Sequence, residues 1–90
     1  MLRQTGPNAV ESSEGFSVRR VSRHAIEYLE GDKRALIEVE AGDGLAIYRQ
    51  SVKTWEAPHG TERLDSALQE RIVTRVCAAL DFLGIHYVLA

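Results

Sequence analysis

Apolar and polar residues alternate along two neighbouring stretches, and the alternation predicts two strands. Residues 23–30 read Arg-His-Ala-Ile-Glu-Tyr-Leu-Glu and residues 33–41 read Lys-Arg-Ala-Leu-Ile-Glu-Val-Glu-Ala, with Gly31-Asp32 between them. Glycine first in a two-residue loop suits a type II′ hairpin. That loop length sets the register. It pairs Glu30 with Lys33, Tyr28 with Ala35, Ile26 with Ile37 and His24 with Val39 on one face. The other face pairs Leu29 with Arg34, Glu27 with Leu36, Ala25 with Glu38 and Arg23 with Glu40. One face is apolar through its middle, and two end pairs join opposite charges. A one-residue slip would set glutamates across the buried face, so the letters support this register.

Gly42-Asp43-Gly44 marks the next turn, and Leu45-Ala-Ile-Tyr-Arg49 predicts a third antiparallel strand. A three-residue loop pairs Ala41 with Leu45, Val39 with Ile47 and Glu38 with Tyr48. Residues 50–56 extend this strand past a bulge, because the alternation breaks near Ser51. Pro58 and Gly60 end it. The period then changes. Leu64, Leu68, Ile72, Val76, Ala79, Leu80 and Leu83 fall within half of a helical wheel, which predicts a helix over 65–83. Asp65 or Ser66 caps its start, and Ser66 with Gln69 has capping-box spacing. Gly84 stands where a left-handed cap is needed, with Ile85 closing back onto Leu80. Residues 85–89 read as a last short strand, parallel to the first and third strands and placed beside either.

The predicted fold class is α+β. It is a single small domain of order β-β-β-α-β, a mostly antiparallel sheet with one amphipathic helix packed on one face. The helix stripe and the apolar sheet face are the two large apolar surfaces, so they cover each other. Residues 1–22 read as a flexible N-terminal tail, and residues 23–90 as the α+β domain. Gly6-Pro7-Asn8 and Glu11-Ser12-Ser13-Glu14-Gly15 are turn and solvent residues, and no apolar run suits a secretory signal.

Composition narrows the classes. Ninety residues and 10.0 kDa bound the chain to one modest core. No apolar run approaches the roughly 20 residues that span a bilayer. One cysteine excludes a disulfide framework and a multi-cysteine zinc site. A lone thiol fits a cytoplasmic protein. The net charge of −2 argues against bulk-basic nucleic-acid binding. Charge is uneven: residues 1–23 hold four arginines and two glutamates, whereas residues 24–90 hold seven basic and eleven acidic side chains. Arg19, Arg20 and Arg23 form a basic cluster, read first as a solvated approach to the first strand and second as a contact for phosphate or a membrane surface.

Candidate chemistry is sparse. His24, His59 and His86 fall on different elements without metal-ligand spacing. Cys77 lies mid-helix, away from any dipole activation, and reads as a small filler. Arg75 falls inside the apolar arc and either snorkels or pairs with a sheet carboxylate. No enzyme, cofactor or metal is expected.

Two surfaces remain as contact candidates. Trp55-Glu56-Ala57-Pro58-His59 gathers the only tryptophan, a proline and a histidine. Trp55 either staples this loop onto the helix or serves as a binding hot spot. The sheet face away from the helix carries Leu29, Leu36, Ala46 and Tyr48, framed by Glu27, Glu38 and Glu40. It is either a solvated face or an interface for a basic partner. Glu27, Leu36, Glu38, Glu40, Tyr48, Trp55, Glu56 and His59 are the candidate partner-binding residues.

The run from His24 to Leu89 resembles the immunity protein 74 family, small bacterial immunity proteins of polymorphic toxin systems. The likeness lies in Ile26-Glu27-Tyr28 before a glycine turn, Ala46-Ile47-Tyr48, and Ser51-Val52-Lys53-Thr54-Trp55-Glu56 leading to Pro58-His59. Glu70-Arg71-Ile72 and Ala79-Leu80-Asp81-Phe82-Leu83-Gly84-Ile85 complete it. The resemblance implies a protein that binds and neutralises a cognate toxin domain in the producing cell, as in contact-dependent growth inhibition. The acidic balance would suit a basic toxin such as a nuclease. It implies no nucleic-acid or membrane partner, and leaves a homodimer open. Two rivals stand beside it: a general interaction or dimerisation module without a toxin, and a regulator touching nucleic acid through Arg19, Arg20 and Arg23.

Overall fold

A computed structural model describes residues 1–90. Six strands come first: β1 (Leu2–Gly6), β2 (Ala9–Ser12), β3 (Phe16–Ser22), β4 (Ala25–Glu30), β5 (Lys33–Gly42) and β6 (Gly44–Tyr48). The helix α1 (Ser66–Leu83) and a last strand β7 (Tyr87–Leu89) follow. All seven strands form one sheet in chain order. It curls as a half-barrel around α1. Every pair is antiparallel except β6–β7.

The β4–β5 pairing runs from Ala25–Glu38 to Glu30–Lys33, and β5–β6 joins Ala41 to Leu45, Val39 to Ile47 and Glu38 to Tyr48. Both registers agree with the turn lengths. Gly31 takes φ +63 and Gly44 φ +131, values that side chains rarely adopt. A Cβ on Gly44 would also lie 2.7 Å from His86 Cδ2.

The N-terminal expectation is corrected. Residues 2–22 are not a tail but three strands. Their alternation is short and polar, yet it places Val10, Phe16 and Val18 on the helix side, where each is buried. Phe16 and Val18 extend the apolar surface beyond Tyr28 and Ile26 on the neighbouring strand. The order is therefore six strands, a helix and a strand, rather than β-β-β-α-β. The proposed strand extension over 50–56 also differs. β6 stops at Tyr48, and the loop turns back along β5. Ser51 Oγ accepts from the Glu38 amide at 2.8 Å, and the Glu56 amide donates to the Arg34 carbonyl at 2.7 Å. The loop thereby serves the half of β5 that β6 does not reach.

Asp65 caps α1 by accepting from the Leu68 amide at 2.8 Å. Gln69 does not close a capping box; it reaches the Val52 carbonyl and ties the helix to the loop. Gly84 closes the other end at φ 73, with the Ile85 amide donating to the Leu80 carbonyl at 2.9 Å. Ile72, Val73, Val76, Ala79 and Leu80 are the buried helix residues. The last strand settles beside β6, with Leu45 paired to Tyr87 and Ile47 to Leu89. A parallel neighbour requires a long crossover, and α1 supplies it. No helix is long and apolar enough to cross a membrane.

Candidate partner-binding face

The inner face carries the core, and its polar groups are committed to one another. Tyr28 lies stacked between Phe16 and Trp55, with ring centroids 5.8 and 6.3 Å away. Its hydroxyl donates to Glu30 at 2.6 Å and accepts from Arg75 at 2.9 Å. Burial and the Glu30 carboxylate push the Tyr28 phenol up, and Arg75 opposes them. Arg75 also meets Glu30 at 3.1 Å and covers the Phe16 ring at 4.5 Å, so it pairs with a sheet carboxylate from within the apolar arc. Arg71 completes the cluster by contacting both Glu30 oxygens. A groove of about 550 Å³ lies between α1 and β1–β3, with Leu2, Phe16, Arg71 and Arg75 in its lining. Both arginines pair with Glu30, so one carboxylate is shared between two guanidinium groups.

Trp55 belongs to this interior. It is only 3% exposed, packed on Tyr28, with Lys33 Nζ 5.8 Å from its ring centroid. The indole therefore staples the loop and offers no contact surface of its own. His59 sits at the same end. Its Nε2 is 3.5 Å from Asp32, and its Nδ1 is 4.0 Å from Glu62, which also pairs with Lys33 at 3.0 Å. These contacts pin the loop to the β4–β5 turn. Glu56 is half-buried beside it.

The outer face is covered by no other element. Leu29, Leu36, Ala46 and Tyr48 are half-buried on it, and Glu38 and Glu40 are exposed. Tyr48 donates to Glu40 at 2.6 Å, a bond that pushes its phenol up. Val88 on β7, paired with Ala46, extends the apolar strip and is 51% exposed. Glu27 departs from the expected rim. It is 3% exposed and held by two arginines: Arg19 Nε meets one carboxylate oxygen at 2.7 Å, and Arg34 Nε meets the other. Burial alone would raise the Glu27 pKa; the hydrogen bonds and charges of Arg19 and Arg34 outweigh it and hold the carboxyl below its ordinary value. The face is therefore bipolar, with arginines toward β3 and acids toward β6. The sequence register already made Glu27 and Arg34 diagonal neighbours on one face. Arg19 joins them only because residues 16–22 form β3, paired so that Arg19 lies opposite Glu27.

The three histidines stay apart, and no imidazole hydrogen-bonds a serine or cysteine side chain; the His24 backbone amide donates to Ser22 Oγ at 3.2 Å. Burial raises the Cys77 thiol, against the trend of a reactive cysteine. Tyr87, beside Cys77 and Asp81, is pushed up to about 12, by desolvation first. No group of three His, Cys, Asp or Glu side chains is placed to hold a metal.

The family described as Immunity protein 74 matches residues 19–89, from β3 to β7. No curated protein and no solved structure matches.

Proposed function

We propose an immunity function from one premise: the chain belongs to the immunity protein 74 family. The family name implies a cognate toxin as partner. In our reading the chain works without catalysis. It binds the toxin domain directly in the cytoplasm of the producing cell and blocks it, by covering or distorting the toxin's active site.

The observation that carries the choice of surface is the uncovered outer face of the sheet. Leu36, Ala46 and Tyr48 form its apolar strip, and Glu38 and Glu40 border it. A single-sheet fold with its helix on one side leaves the other side open to solvent or to a partner. An aromatic and aliphatic strip with a charged rim has the anatomy of an interface. Glu56 and His59 flank the far end of β5 and are secondary contacts. Glu27 and Trp55 act by holding the face and the loop in shape. Glu38 and Glu40 would meet basic groups of the toxin, as a nuclease domain would offer.

The test is co-expression with the C-terminal domain encoded immediately upstream, scoring cell survival and co-purification together. Survival with a stable complex is the expected result. Tyr48→Ala and Glu38→Lys should then weaken the complex while leaving the melting temperature within a few degrees of wild type. Cell death without a complex would sink the immunity reading for that neighbour and favour an interaction module of another kind.

A further inference from the structure

The Arg19–Glu27–Arg34 cluster satisfies its carboxylate completely and its guanidinium groups only in part. Each arginine spends its Nε on Glu27, and the terminal nitrogens of both have no partner in the protein. The two side chains remain 59% and 45% exposed, while the glutamate between them is 3% exposed. One buried negative charge thus fixes two positive ones and leaves a surplus of one. Because each arginine is tethered at Nε, its outer edge is held in place rather than swinging freely. Arginine presents donors in a planar fork that matches a carboxylate, and a pre-positioned fork loses less freedom on binding. Leu29 and Leu36 lie beside the pair and would exclude water from an incoming group.

We propose that Arg19 and Arg34 form a carboxylate clamp that receives an aspartate or glutamate side chain of the toxin domain. This rests on the immunity reading and adds to it a partner of mixed charge: an acidic group over β3–β5 and basic groups over Glu38 and Glu40. A nucleic acid is the less fitting occupant. The clamp offers a surplus of one positive charge, Glu11 is offset by Arg3 at 3.5 Å, and Glu38 and Glu40 share the same outer face. A polyanion running along this face would meet them, whereas a single protein carboxylate would not.

The experiment measures affinity between the full chain and the upstream-encoded domain, for wild type, Arg19→Lys, Arg34→Lys and the double variant. Lysine keeps a positive charge for Glu27 but lacks the fork, so a purely structural role predicts unchanged binding at an unchanged melting temperature. The clamp predicts about tenfold weaker binding for each single variant and a larger loss for the double, with near-native melting. Single variants within twofold of wild type, in a chain that still protects, would overturn the clamp and leave immunity standing. If the wild type neither protects nor binds, the immunity reading fails for that partner, and the clamp falls with it. A duplex oligonucleotide is the control probe. Binding it at about 0.15 M salt, with arginine-dependent affinity, would assign the pair to phosphate and overturn the carboxylate assignment.

Discussion

Trp55→Ala separates a loop staple from a contact residue. The indole is buried, stacks on Tyr28 and lies under Lys33. A buried tryptophan removes roughly 150–250 Å² from water. At about 25 cal/mol per Å² this is about 4–6 kcal/mol, an upper figure because denatured chains already hide some surface. Measured truncations of this kind cost about 3–5 kcal/mol, so about 4 kcal/mol is expected. A domain of this length has a total stability of about 5–13 kcal/mol, so the loss is a large share. In urea, with a slope of about 1.2 kcal/mol/M, the midpoint should fall by about 3 M. Far-UV circular dichroism reads both proteins, since the variant lacks the fluorophore. Trp55→Phe keeps the stack on Tyr28 and should cost about 1–2 kcal/mol while binding the partner as wild type does. A Trp55→Ala protein less than about 1 kcal/mol below wild type would refute the packing argument. So would a Trp55→Phe protein of native stability with lost binding, which would return the residue to the interface.

Two further outcomes follow from the same packing. Val10→Asp places a carboxylate where the side chain is 1% exposed. It should destabilise the chain by more than about 3 kcal/mol, measured by thermal melting, whereas an unchanged melt would mean β2 does not dock. Glu27 has a native pKa below its ordinary value near 4.5, so its stabilisation is complete above that value and is lost as the pH falls through the lower native one. Stability of the wild type should therefore drop more steeply than that of Glu27→Gln as the pH falls below about 4.5; parallel profiles would contradict the ion triad.

The parts of the fold governed by local rules were legible from the letters. Gly31-Asp32 set the hairpin register, and the apolar stripe with Asp65 and Gly84 set the helix. The neighbour of the last strand was not, because direction follows from chain order but position depends on which edge is free. Residues 2–22 were missed for a different reason. β2 contributes one buried apolar residue, Val10, and a buried Ser12, so its alternation carries almost no hydrophobic contrast. The pair Phe16 and Val18 was the readable signal, and its shortness hid it. The site shared this blind spot. With residues 16–22 taken as tail, Arg19 had no place on the sheet, and Glu27 looked like a rim carboxylate instead of the centre of an ion triad.

The strand order has a consequence for how the chain comes off the ribosome. Six strands in chain order need only hairpin closures between consecutive segments, each with little loop entropy to overcome. They can zip together before α1 docks. Until those last residues emerge and dock, Val18, Ile26, Ile37 and Ile47 line an open concave surface with nothing over it. Chains truncated before Ser66 should therefore be sticky, and docking of the helix is the event that covers the hydrophobic trough.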